Sequence, residues 1–151
     1  MNADPGTYIL LLRADANSAV EIGRWGVLDI RPGYYLYVGS AFGPGGVRGR
    51  VSRHCRERKS KHWHIDYLRE MTLIESVWYI HGQTRLEHRW AKALAKWSKA
   101  ESVRGFGSSD CSCDTHLFYF KRAPTLIGFT KILGYSVAAW SCEETWQQFK
   151  G

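Results

Sequence analysis

A chain of 151 residues with 44% hydrophobic content is long enough for one domain with a real core, and too apolar to be disordered. A net charge of +7 and a pI near 9.4 favour polyanionic partners, although a merely basic surface is the plainer reading of charge alone. No apolar run reaches membrane length, no signal-type segment leads the chain, and four cysteines are too few for a disulfide scaffold, so a soluble, cytoplasmic protein with reduced thiols is expected.

In chain order, residues 1 to 6 are a polar lead-in, and Thr7 to Leu12 reads as a strand. Tyr8, Leu10 and Leu12 share one face, Ile9 and Leu11 the other. Two apolar faces predict a central strand. Val20 to Ile30 predicts a hairpin turning through Gly23 to Gly26. Tyr34 to Val38 suits a pleated surface, and Gly39, Gly43, Pro44, Gly45 and Gly46 predict that the strand ends in a tight turn. A short basic helix follows, with Arg50 and His54 on one face. Arg48, Arg50, Arg53, Arg56, Arg58, Lys59 and Lys61 crowd this segment against Glu57 alone. Such a run is usually a solvated face, but beside a glycine turn it suits phosphate contact, with Gly39 and Ser40 at its edge.

His62 to Met71 predicts a second helix, with Trp63, Tyr67 and Met71 stacked and Ile65 and Leu68 widening the apolar face. His62, His64 and Asp66 invite a metal reading, against which stands a core-edge histidine bonded to its neighbour. Leu73 to His81 is the next strand. Thr84 then suits a helix N-cap with Glu87 three residues on, and the helix is expected to reach about Ala100 on a stripe of Leu86, Trp90, Ala93, Leu94 and Trp97. Glu87 beside that stripe is either a cap or a half-buried ligand. Gly105 to Thr115 is a glycine and serine-rich loop, and His116 to Phe120 a last strong strand. Cys111, Cys113, His116 and a remote Cys142 make a zinc reading possible, without the paired spacing of ordinary zinc modules. Pro124 marks a break, and Ser136 to Phe149 is expected to be a terminal helix.

These residues carry a resemblance. The chain resembles the GIY-YIG nucleases, in their Uri-type subgroup. Gly6-Thr7-Tyr8 matches the first half of the signature, with Thr in place of Ile, and Tyr37-Val38-Gly39 matches the second. Arg50 and His54 in RVSRH match the arginine and histidine that follow, and Glu87 in LEHRW matches the single acid of the later helix. HWHIDYL from His62 and GFGSSDC from Gly105 resemble the subgroup's own motifs. The likeness covers about residues 6 to 120, leaving 121 to 151 as a C-terminal extension of a single domain. The interval between the two tyrosines is longer than in compact members, and the predicted hairpin fills it as an insertion. The asparagine many members carry has no clear counterpart, unless the Ser108 to Asp110 loop takes its role.

The resemblance implies an α/β sandwich around a mostly antiparallel three-stranded sheet flanked by helices, with an inserted hairpin and an extra C-terminal strand. It implies hydrolysis of a nucleic-acid phosphodiester, DNA before RNA, with one divalent Mg²⁺ or Mn²⁺ on Glu87. Tyr8 is then the base or water-orienting group, Tyr37 its support, Arg50 the fork on the phosphate and His54 the proton acceptor, with His64 a further candidate for the same neighbourhood. Core packing with a satisfied hydroxyl is the plain alternative for each tyrosine. A non-catalytic nucleic-acid-binding module on the same scaffold is the competing function, and a zinc-stabilised interaction domain on the cysteine loop a third.

Overall fold

A computed structural model describes residues 1–56, 60–107 and 113–141. The framework is one strand, β1 (Gly6–Ala14), flanked antiparallel by β4 (Gly33–Ala41) and β5 (Leu73–His81). This is the expected antiparallel trio. It grows at both edges into a six-stranded sheet: β7 (Leu117–Phe120) and the two-residue β6 (Glu101–Ser102) extend it beyond β4, and β8 (Ala138–Ser141) beyond β5. The expected hairpin is present as β2 (Ser18–Ile22) and β3 (Gly26–Ile30), a separate two-stranded sheet between the signature strands.

Strand alternation on β1 divides the core in two. Tyr8, Leu10 and Leu12 pack with Ile22, Leu28 and Ile30 of the hairpin, Val47 and Val51 of α1 (Gly46–Cys55), and Ile65 and Leu68 of α2 (His64–Arg69). Ile9 and Leu11 pack on the opposite face with Trp90 and Leu94 of α3 (Glu87–Ala95) and Phe129 of α4 (Leu126–Leu133). The result is a mixed α/β sandwich with helices on both faces of a large antiparallel sheet. No helix among the described residues is long and apolar enough to cross a membrane.

Four expectations are corrected. First, β4 does not end at Gly39 but runs on to Ala41, because Gly39 stands opposite Tyr8 in the ladder. Second, the apolar face of α2 is Ile65 and Leu68, while Met71 lies past the helix end and is 45% exposed. Third, α3 begins at Glu87, and Thr84 lies outside it in a bend. Its start is tied down by Thr7, whose buried hydroxyl accepts the Leu86 N–H at 3.3 Å. Thr7 thus holds the residue that immediately precedes Glu87 on α3. Fourth, the C-terminal region holds α4, capped by the Thr125 hydroxyl accepting from the Gly128 N–H at 3.0 Å, and then a strand rather than a helix from Ala138. Pairing with the open edge of β5, which buries Trp140 opposite Val77, overrides local preference there. The rest of the expected terminal helix lies outside the described residues.

Asp66 clamps the two short helices together. Its carboxylate accepts both Arg53 guanidinium nitrogens, at 2.7 and 2.9 Å, and the backbone N–H groups of His62 and Trp63 at 2.8 and 3.0 Å. Burial alone raises this carboxyl, but the Arg53 fork and the two backbone donors outweigh it and bring the pKa to about 2. A depressed carboxylate stabilises the fold fully above its unfolded value near 3.8, and the contribution disappears as pH falls through about 2. Acid titration followed by circular dichroism is therefore expected to show about 2 kcal/mol of stability lost between roughly pH 4 and pH 2, and Asp66→Asn to remove that part of the slope. An Asn variant with the parental acid profile would count against this assignment.

Candidate active site

Three glycines shape the site. Gly45 and Gly46 open α1 at φ values of 88° and 60°, where only glycine is comfortable. A Cβ on Gly46 would also collide with the backbone of Ala3 and Asp4, and this close approach lets Val47 N–H reach the Asp4 carbonyl at 3.0 Å. Gly39 is needed for space: a Cβ there would overlap the ring and hydroxyl of Tyr8. Gly39→Ala is expected to dislodge Tyr8 from His54 and to cost about 1–3 kcal/mol as overpacking. Thermal melts check the cost, and a crystal structure of the variant with Tyr8 unmoved would contradict the reading.

From that turn, the helical period carries Val47, Val51 and His54 to the buried face of α1. His54 is fully buried and its Nε2 lies 2.6 Å from the Tyr8 hydroxyl. Burial, and after it the neighbouring Tyr37, raise the Tyr8 hydroxyl well above its ordinary range, with Arg50 pulling the other way. The phenol therefore keeps its proton at rest, within hydrogen-bond distance of His54 Nε2. Burial likewise raises the half-buried Tyr37, helped by Glu87 and opposed by Arg50. Its ring meets His54 edge-on at 6.2 Å between centroids.

The groups converge because the sheet has a gap. Strand β7 pairs with β4 only from Tyr34 to Tyr37, and the carbonyl of His116 accepts the Val38 N–H. Beyond that point the β4 edge has no strand beside it among the described residues. Glu87 lies at this opening from the α3 side, while Tyr8, Tyr37 and Arg50 lie on the α1 side. They line one cleft of about 250 Å³, with Gly39, Ser40, Trp63, His88, Gly107 and His116. Burial raises the Glu87 carboxyl, but contacts with His116 at 2.8 Å, with the Ser40 hydroxyl and with His88 prevail and hold it below its ordinary value. Its place in the first turn of a helix adds to that preference for the anion. The result is an ionised, partly exposed oxygen donor, of the kind a hard divalent cation takes.

Of the residues singled out from the sequence, Tyr8, Tyr37, Arg50 and Glu87 meet in the cleft, and His54 stands directly behind Tyr8. His64 is not among the lining residues. Its Nδ1 accepts the Gly107 N–H at 2.9 Å and its ring meets Phe106, so it holds the loop whose Gly107 forms one wall. Among the basic candidates, Arg53 is engaged by Asp66, and Lys61 pairs with Glu70 at 2.9 Å. Arg48 and Arg56 are exposed, and Arg58 and Lys59 lie outside the described residues. Ser40 turns to Glu87 rather than outward. The loop Ser108 to Asp110, Cys111 and Cys142 also lie outside them.

Sequence reasoning passed over three cleft residues. Trp63 lies under two guanidinium groups, Arg50 at 4.5 Å and Arg53 at 4.2 Å from its ring centre, a planar shelf that orients Arg50. His116 was weighed only as a zinc ligand, yet it is the partner of Glu87. His88 follows Glu87 directly and lines the cleft beside it. A signal for His116 was present: a histidine at the mouth of an otherwise apolar strand is worth pairing with the nearest acid on a neighbouring element.

Comparison with curated proteins and with solved structures gives no match. The model of one family, described as a domain of unknown function, DUF123, matches residues 7–135. That span contains every residue lining the cleft and extends through α4, and the chain therefore belongs to the DUF123 family.

Proposed function

We propose that this protein is an endonuclease of the GIY-YIG type, Uri-like, that hydrolyses nucleic-acid phosphodiesters, DNA foremost, with one divalent Mg²⁺ or Mn²⁺. The observation that carries the reading is the convergence of Tyr8, Tyr37, Arg50 and Glu87, from three well-separated parts of the chain, on one polar cleft, with His54 in contact with the Tyr8 hydroxyl from behind. Arg50, set on Trp63, presents a planar fork to the non-bridging oxygens. The attacking water is bound by the Tyr8 oxygen. As the water oxygen bonds to phosphorus and the ester bond to the leaving oxygen breaks, the water's proton passes to Tyr8 and Tyr8's own proton to His54 Nε2. This relay needs no free-standing phenolate, which the raised Tyr8 hydroxyl would resist. Tyr37 helps orient the water. Glu87, with Ser40 beside it, would hold the divalent ion, which when bound supplies charge stabilisation at the phosphoryl oxygen. The net charge of +7 and the exposed Arg48 and Arg56 on the α1 side favour a polyanion.

The test is incubation of the purified chain with end-labelled duplex, flapped and branched DNA and with RNA, in Mg²⁺, Mn²⁺ or chelator. Metal-dependent cleavage of at least one substrate, absent in chelator, is the expected result. Binding without cleavage in every arm would make the cleft a nucleic-acid-binding module instead.

A further inference from the structure

Next to Glu87 lies a second cluster whose chemistry differs from a carboxylate's. His88 on α3, Cys113 and His116 on the approach to β7 each offer one ligand atom, and the three atoms lie within 4.8 Å of one another. The two imidazole rings are 6.2 Å apart between centroids. Burial is graded: His116 is 2% exposed, Cys113 half-buried and His88 exposed. The cluster thus has a buried inner ligand and an exposed outer one, and it opens on the cleft that both histidines line.

We infer that His88, Cys113 and His116 form a binding site for a borderline-soft transition ion of the Zn²⁺ class, distinct from the hard cation proposed at Glu87. Two imidazoles and a thiolate suit Zn²⁺ or Co²⁺ and discriminate against Mg²⁺. Ligand atoms on a tetrahedral zinc stand about 3.5 Å apart, so rotation of the exposed His88 and the half-buried Cys113 closes the set. Three protein ligands leave a fourth position for water or another donor. Glu87 completes the case. Its Oε1 is 2.8 Å from His116 Nδ1, the carboxylate–histidine pairing that orients a metal-bound imidazole, and the ligand atom on His116 is then Nε2. The ion ties the segment before β7 to the start of α3, the two pieces between which the sheet edge is open. The Cys113 thiol proton leaves to solvent on binding.

The site is read by binding, so it stands or falls apart from any cleavage. The full chain, stripped with chelator and kept reduced, is titrated with Co²⁺ and followed by absorbance, with melts in Zn²⁺ and in chelator. One equivalent with a thiolate-to-cobalt charge-transfer band, displaced by Zn²⁺ and insensitive to excess Mg²⁺, is expected, with a melting temperature that rises with metal concentration. Cys113→Ser removes the band, His88→Ala weakens Co²⁺ binding about tenfold or more, and Cys55→Ser leaves both unchanged. His88 is exposed, so its variant carries the test even if Cys113→Ser fails to fold. No band in the parent, a band that survives Cys113→Ser, or unaltered affinity in His88→Ala overturns the site.

Discussion

Glu87→Ala is expected to lower metal-dependent cleavage about a thousandfold or more while leaving affinity for nucleic acid near parental. The basic surface that attracts the polyanion is untouched, whereas the carboxylate at the mouth of the cleft is lost. A cation on a phosphoryl oxygen contributes several kcal/mol to the transition state, and every 1.4 kcal/mol is about tenfold in rate. Glu87 also partners the buried His116, so the Ala variant is expected to lose about 1–3 kcal/mol of stability as well. Glu87→Gln separates the two effects: an amide oxygen still accepts from His116 Nδ1 but carries no charge for the ion. Cleavage in Mg²⁺ under single-turnover conditions, binding in chelator and thermal melts together make the comparison. If Glu87→Ala cuts at the parental rate with Mg²⁺ present, the cation is held elsewhere.

Tyr8→Phe is the second large effect. It keeps ring and packing and removes the hydroxyl that joins the cleft to His54. General-base help is worth about a hundredfold or more, so single-turnover cleavage is expected to fall by at least that while the variant still binds. Tyr37→Phe is expected to fall less, because its hydroxyl is not the one bonded to His54. Tyr8→Phe also deprives His54 Nε2, in a fully buried ring, of the hydroxyl it meets at 2.6 Å, at a cost of about 1–3 kcal/mol read in the melt. The proposed relay makes Tyr8 and His54 one unit, so combining Tyr8→Phe with His54→Ala should be no slower than the worse single variant. Additive losses would mean the two act separately. Two fully active phenylalanine variants would end the tyrosine mechanism, and a larger defect in Tyr37→Phe would reverse the roles of the pair.

How much of this was legible from residue order depends on whether the cause is local. Side-chain alternation from Tyr8 to Leu12 places a strand between two helical layers, since its two faces are both apolar. Gly23 to Gly26 marks the hairpin, and Gly45 and Gly46 mark the turn that opens α1. The ordered set Tyr8, Tyr37, Arg50, His54 and Glu87 was readable as a candidate site only through the resemblance to the GIY-YIG nucleases, because residue period alone leaves core packing as the plainer reading of each tyrosine. The C-terminal region carries a local signal of its own. Thr125 followed by an apolar run and then Gly134, at φ 83°, marks a capped helix with an αL end, ahead of the segment from Ser136 where the sequence reading expects one.

By itself, then, the amino-acid order determined the strand trio, the inserted hairpin, the basic helix and the residue types available for chemistry, because these follow from near-neighbour sterics and hydrophobic period. Only the tertiary structure decided which charges are spent inside the fold and which face the cleft. Arg53 and Arg50 look alike in a basic run, yet Asp66 takes the first and Trp63 presents the second. Glu87 reads locally as either a cap or a half-buried ligand until Thr7 holds the start of α3 and His116, 29 positions on, pairs with the carboxylate across the open edge of β4. Such pairings depend on sheet register and helix docking, whose energies are summed over the whole core, and no window of sequence contains them.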